Sequence, residues 1–131
     1  MPRKKRHSHR MSALAQGPAN QDEMRVKGRI WIEKGNSTYL SWARVELLER
    51  IAQEGSVSAA ARSMAMSYSH AWSLVQEMNR LAPETLVEKT TGGKGGGGAR
   101  LTAAGQLAVS DFWRLVKHFQ TWMGKQQAQG D

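Results

Sequence analysis

Ser67, Ser69, His70 and Ser73 put three hydroxyls and an imidazole inside one seven-residue window, "SYSHAWS". Such groups suit either nucleophilic catalysis or hydrogen bonding to a polar partner. Their arrangement argues against catalysis. Ser69 and His70 are sequence neighbours and cannot act as a nucleophile–base pair without a third group to orient them. The chain has neither G-x-S-x-G nor H-E-x-x-H, so no enzyme activity is expected. Hydrogen bonding is the better use. Ser67 precedes a helix-patterned stretch and is a candidate N-cap, which makes Ser67, Tyr68, Ser69, His70 and Ser73 the exposed start of a helix. Hydroxyls and imidazole there can reach base edges or phosphates, and the free amides of a helix N-terminus favour phosphate. Arg62, just upstream, supplies a cation for the same purpose.

A second stretch with chemical potential is "TTGGKGGGGAR", Thr90 to Arg100, with six glycines in eleven residues. Gly93 to Gly98 formally satisfies G-x-G-x-x-G, but any glycine run does. A dinucleotide site needs the motif to leave a strand and open a helix within a βαβ unit. Here strand-like "TLVEK" precedes the run and strand-like "ARL" follows it. A phosphate-binding P-loop fails as well, because Lys94 is followed by Gly95 and Glu88 stands where the first glycine belongs. The stretch is expected to be the tip of a hairpin whose bare backbone approaches a phosphate-lined groove, with Lys94 and Arg100 supplying charge. "HSH" at His7 and His9 offers two imidazoles without a third ligand nearby, so no metal site is expected.

The elements that must position these groups follow from periodicity. "RVKGRIWIEKG", Arg25 to Gly35, alternates, with Val26, Ile30 and Ile32 on one face and Lys27, Arg29 and Glu33 on the other, which predicts a half-buried strand. Trp31 falls on the polar face and needs cover from another element or chain. "LSWARVELLERIAQEG" recurs at three and four residues through Trp42, Val45, Leu48 and Ala52, with Leu47 and Ile51. It predicts a helix capped by Ser41 and ended by Gly55. Glu46 and Arg50 are an i,i+4 pair on its outer face. Next, Ser58 or Ser56 caps a short helix reaching about Met64, and Ser67 opens a longer one to about Ala82, stopped by Pro83. Two helices joined by so short a turn make a helix-turn-helix. Ala60 and Ala61 allow the close crossing, and Trp72 and Val75 are expected in the core. The turn prefers glycine in a left-handed backbone, whereas this chain has Ala65, at a cost of roughly 1 kcal/mol. From Thr102, "TAAGQLAVSDFWRLVKHFQTWMGKQQ" carries Ala104, Leu107, Ala108, Phe112, Leu115, Val116, Phe119, Trp122 and Met123 as a broad apolar stripe. The stripe either wraps the core or meets a second chain. His118 is expected at the surface or on that face and not as a ligand.

The order strand, helix, helix, helix, strand, strand, helix predicts a mainly α winged helix-turn-helix with an N-terminal strand, a two-stranded wing and a long C-terminal helix. Residues 1–24 are basic, with few bulky apolar groups, and are expected to be a disordered tail. Residues 25–127 are expected to form the domain. The 131 residues carry 19 Lys and Arg against 11 Asp and Glu, a net charge of +8 that favours a polyanionic partner. Six of those positives, against Asp22 and Glu23, lie before residue 26, so part of the excess is local and the remainder of the chain, with 13 positives and 9 negatives, is only mildly basic. The absence of cysteine excludes disulfides and thiolate metal sites. No apolar run approaches the roughly 18 residues of a membrane span, and the basic start lacks a secretory apolar core, so a cytoplasmic protein is expected.

"GSVSAAARSMAMSYSHAWSLVQEMNR" followed by "LVEKTTGGKGGGGARLTAAG" resembles the N-terminal DNA-binding domain of the ModE family of molybdate-responsive transcriptional regulators. "MSYSHAW" and "TGGKGGGGARLT" are its specific parts, and the resemblance covers about Lys27 to Gln120. It implies a winged helix related to that of LysR-type regulators, double-stranded DNA as partner, and a homodimer formed through the first strand region and the last helix. Trp31, Phe112, Leu115, Phe119 and Trp122 are then the expected dimer residues. Molybdate sensors of this family usually carry C-terminal oxyanion-binding domains. The chain ends at Asp131, so it is expected to bind no molybdate and no other cofactor. The competing expectation is a small oxyanion-binding or protein-interaction module of the same fold.

Overall fold

The structure, a computed structural model, describes residues 21–91 and 97–129. His7, His9 and Lys94, and with them the first 20 residues of the expected tail, lie outside the described residues. The chain divides into two compact units, one spanning Trp31–Phe112 and one formed by residues up to Ile30 with those from Trp113 onward.

The larger unit opens with a hairpin of β1 (Ile32–Lys34) and β2 (Ser37–Leu40), antiparallel, with a register shift between Ile32 and Glu33. Gly35, at φ 61°, makes the turn. The strand expected over Arg25–Gly35 is therefore much shorter. Among the described residues Arg25 to Trp31 has no strand partner, and "STYL", unassigned from the sequence, is the pairing strand. Alternation identified a chain able to pair on one face but could not say where a partner begins. Helix α1 (Trp42–Glu54) follows, capped by Ser41, whose hydroxyl accepts from the Arg44 amide, and closed by Gly55 at φ 78°. Val45, Leu47, Leu48 and Ile51 are buried, whereas Ala52, expected in the same stripe, is exposed. The expected Glu46–Arg50 pair forms at 2.9 Å.

Ser56, of the two candidate serines, caps α2 (Val57–Ser63), and Ser67 caps α3 (Tyr68–Leu81). The connection is a Schellman turn. The Met66 amide donates to the Ala61 carbonyl at 3.0 Å and the Ala65 amide to the Arg62 carbonyl at 3.1 Å. Ala65 occupies the left-handed position at φ 55°, so the anticipated departure from glycine is real and its Cβ strain is retained. Ala60, Ala61, Ala71, Val75 and Met78 close the crossing of α2 and α3 beneath the turn.

The wing is β3 (Val87–Thr90) paired antiparallel with β4 (Gly98–Leu101), Glu88 opposite Arg100 and Lys89 opposite Ala99. It is seated on the helices from two sides. Gly98 bridges Ser56 at the α2 cap, and the Ala99 amide donates to the Gly55 carbonyl at 2.9 Å. On the other side the Asn79 side chain of α3 accepts from the Leu86 and Val87 amides at 2.9 and 3.1 Å and donates to the Val87 carbonyl at 3.0 Å. Helix α4 (Ala103–Gln129) begins under the wing, where Thr102 caps the Gly105 amide. A Cβ on Gly105 would overlap the Leu86 carbonyl, so only glycine fits there.

In the smaller unit, residues from Met24 to Ile30 run along the later turns of α4. The Val26 amide donates to Gln127 Oε1 at 2.8 Å, Gln127 Nε2 donates to the Met24 carbonyl, and Gly28 lies against the Phe119 ring. Trp113, Val116 and Met123 are buried.

Candidate nucleic-acid interface

Helix α3 has two faces of opposite chemistry. Ala71, Val75, Met78 and Leu81 recur at three and four residues and are buried. The opposite face exposes Ser69, His70, Ser73, Gln76 and Arg80. Apolar burial thus fixes the roll of the helix and aims the polar set outward. The Ser67 hydroxyl accepts from the His70 amide at 3.1 Å, which fixes where the helix begins. Ser73 Oγ donates to the His70 carbonyl at 2.8 Å, leaving its lone pairs outward.

The residues picked out in the sequence fall as follows. Ser67, Tyr68, Ser69, His70 and Ser73 gather at the exposed N-terminal turns of α3, with Tyr68 53% exposed. Arg62 is exposed on α2 and donates to Ser58 Oγ at 3.1 Å. Arg100 is exposed on the wing but is held by Glu88, at 2.7 Å from Nη2 and 2.8 Å from Nε. So exposed a pair is worth little in stability, yet it sets where the guanidinium sits when no partner is bound.

Two placements correct the sequence reading. Trp72, expected in the core, is half-buried, and the Lys89 ammonium lies over its ring at 4.6 Å from the centroid. The indole is left partly outside the core, and the cation covers part of its face. Phe112, expected on a face offered to a second chain, is 0% exposed within the single chain. It is buried in the larger unit, and Trp113, which the stripe had not included, is buried in the smaller one. The other apolar candidates are accessible. Trp31 is 57% exposed with its indole N–H donated to Glu33 at 3.0 Å. Leu115 is 45% and Trp122 53% exposed, and Phe119 is half-buried and stacked on Trp122 at a centroid distance of 6.1 Å. His118 is exposed.

Sequence reasoning missed Asn79, Lys89, Gln76 and Arg80. The last two were within reach, since they lie seven and eleven residues after Ser69 and so share its face. Asn79 and Lys89 act between separate elements, Asn79 on Leu86 and Val87 and Lys89 on Trp72, and leave no periodic pattern. Among the described residues no group of three or more metal-ligating side chains is assembled, and no helix is long and apolar enough to cross a membrane.

The packed crossing of α2 and α3, the left-handed turn, and a wing bonded to both make a winged helix-turn-helix. The description "Bacterial regulatory helix-turn-helix protein, lysR family" matches residues 42–106. The chain's curated relatives include ModE proteins, and the match supports a helix-turn-helix domain of the ModE kind. The chain is 52% identical over 74 residues to the DNA-binding transcriptional dual regulator ModE of Escherichia coli K12, across 56% of this chain and 28% of that protein. It is 39% identical over 97 residues to the Molybdenum transport protein ModE of Azotobacter vinelandii, across 74% of this chain and 36% of that protein. The Molybdenum-pterin-binding protein MopA of Rhodobacter capsulatus is 38% identical over 94 residues, 72% of this chain and 36% of its own length. The chain thus spans about a third of the length of these relatives. Among solved structures, the DNA-binding domain of CbnR, determined in complex with DNA, superposes with a TM-score of 0.53 at 20% identity. That match covers 70% of this chain and all of that one, and supports the winged-helix fold.

Proposed function

We propose that the chain is a sequence-specific transcriptional regulator that binds double-stranded DNA as a homodimer. The observation that carries this reading is the α3 face on which Ser69, His70 and Ser73 are exposed together, on a helix whose roll and start are fixed by burial and by the Ser67 cap. In a major groove those side chains read base edges, the α3 amides and Arg62 meet phosphate, and the wing, with Arg100 and Lys94, follows the adjacent backbone. Residues 25–127 serve as one DNA-binding domain with its dimerisation helix, preceded by the basic residues 1–24. The exposed Leu115 and Trp122, with Phe119, and separately Trp31, supply apolar surface for a second copy. The names of the relatives tie the reading to molybdenum. We assign this chain the DNA-reading part, in the cytoplasm, with no catalytic role and no cofactor.

The test is binding of the whole chain to promoter DNA recovered by genome-wide footprinting. Tight binding at low salt that the double variant His70→Glu, Ser73→Glu abolishes without altering the circular dichroism spectrum supports the reading. Indifference of the wild-type chain to DNA, with molybdate titrating in calorimetry, favours an oxyanion-binding module instead.

A further inference from the structure

The face of α3 holds one side chain whose chemistry is more selective than that of its neighbours. At 100° per residue, Ser69, Gln76, Ser73 and Arg80 fall within about 60° of one another, opposite Ala71, Val75 and Met78. Serine hydroxyls rotate and donate to or accept from any base edge. Arg80, at the far end of the helix, lies 3.8 Å from Glu77. Gln76 alone on this stripe offers a rigid amide with a donor and an acceptor side by side. That pair matches the N7 acceptor and N6 donor of adenine in the major groove.

We propose that Gln76 is a specificity-determining residue that selects an A·T pair in each half-site of the operator. The inference rests on the DNA-binding reading above and deepens it. Reach supports it. A straight helix tilted into a groove by its N-terminus moves away from the base edges by up to about 1.5 Å per residue, so later positions need longer side chains. The stripe lengthens in that order, from Ser69 and Ser73 to Gln76. Helical side chains also lean toward the N-terminus, which carries the Gln76 amide back toward the turn of Ser73. Electrostatics support it as well. The acid beside it, Glu77, is taken by Arg44 at 2.6 Å, and Arg44 Nη1 also donates to the Thr38 carbonyl of β2 at 2.7 Å. The carboxylate is thereby paired, its second oxygen lying 3.8 Å from Arg80, so its charge is offset on both sides and repels a phosphate-lined groove less. Gln76 can enter that groove with less charge penalty from its neighbour.

The experiment is selection of bound sequences from a randomised duplex library by the full chain, wild type against Gln76→Ala and Gln76→Arg, followed by titration of the selected sites at several salt concentrations. The expected result is a preferred A·T pair at one symmetry-related position. Gln76→Ala should lower the preference there about tenfold and leave the salt slope unchanged, and Gln76→Arg should move it to G·C. Unchanged base preferences in both variants overturn the proposal. So does a uniform loss across all sequences with a shallower salt slope, which would make Gln76 a phosphate contact. If the wild-type chain selects no sequence at all, the DNA-binding reading itself fails. Retained wild-type selection with an unmoved base preference leaves that reading standing and removes only the role of Gln76.

Discussion

The exposed face of α3 and the exposed face along the later turns of α4 sit on helices anchored by buried apolar residues, opposite the face on α3 and flanking it on α4. Val75 and Met78 hold the first, and Val116 and Met123 the second. What they leave outside differs. The α3 face carries hydroxyls, an imidazole, an amide and a guanidinium, whereas the α4 face carries Leu115, Phe119 and Trp122. Hydrogen-bonding groups with unused capacity suit a partner lined with donors and acceptors. An exposed leucine and tryptophan at a spacing of seven residues suit an apolar partner, such as the same face of a second copy. Burial decides the orientation of both helices, and the residues left over decide what each can meet.

The largest expected effect tests whether Phe112 belongs with the core or with the outer apolar face. Phe112→Ala should lower unfolding free energy by about 3–5 kcal/mol, as for other buried phenylalanines, measured by urea denaturation. A cost below about 1 kcal/mol would return Phe112 to the outer face. Next, Asn79→Ala leaves two wing amides and a carbonyl without their side-chain partner. It should cost about 2 kcal/mol and weaken DNA binding through a displaced wing. Undiminished affinity would show that the wing needs no tie to α3. Trp122→Glu should raise the dimer dissociation constant more than tenfold in sedimentation equilibrium while changing helicity little. An unchanged association state would remove the α4 face as the dimer surface. The smallest effect is a gain. Ala65→Gly relieves the left-handed strain in the turn and should stabilise the domain by about 0.5–1 kcal/mol in thermal unfolding, without altering the outward face of α3.

Much of this contrast was legible in the sequence, because helices announce themselves locally. The caps at Ser41 and Ser67, the stop at Gly55 and the unusual alanine at position 65 all follow from residue types at fixed offsets, and the structure has them. Strand pairing is less local. The alternation of Arg25–Gly35 could not reveal that only Ile32–Lys34 pairs, or that Ser37–Leu40 is the partner. The stripe on α4 was legible as a whole but not its division. Phe112 and Trp113 are buried, yet Leu115, three residues after Phe112, is exposed, and that depends on what packs against each turn. Asn79 and Lys89 were invisible for the same reason. Each does its work on a segment of chain that folds against it from elsewhere.

The central claim is that the α3 face and the wing read DNA, and its most direct test is the salt dependence of binding. The whole chain should bind its footprinted duplex with an affinity that falls linearly in log–log form as salt rises, with a slope reflecting several released counterions. The same duplex with a scrambled central sequence should bind more weakly at every salt concentration. A flat salt response, or equal affinity for the intact and scrambled duplexes, would contradict the account.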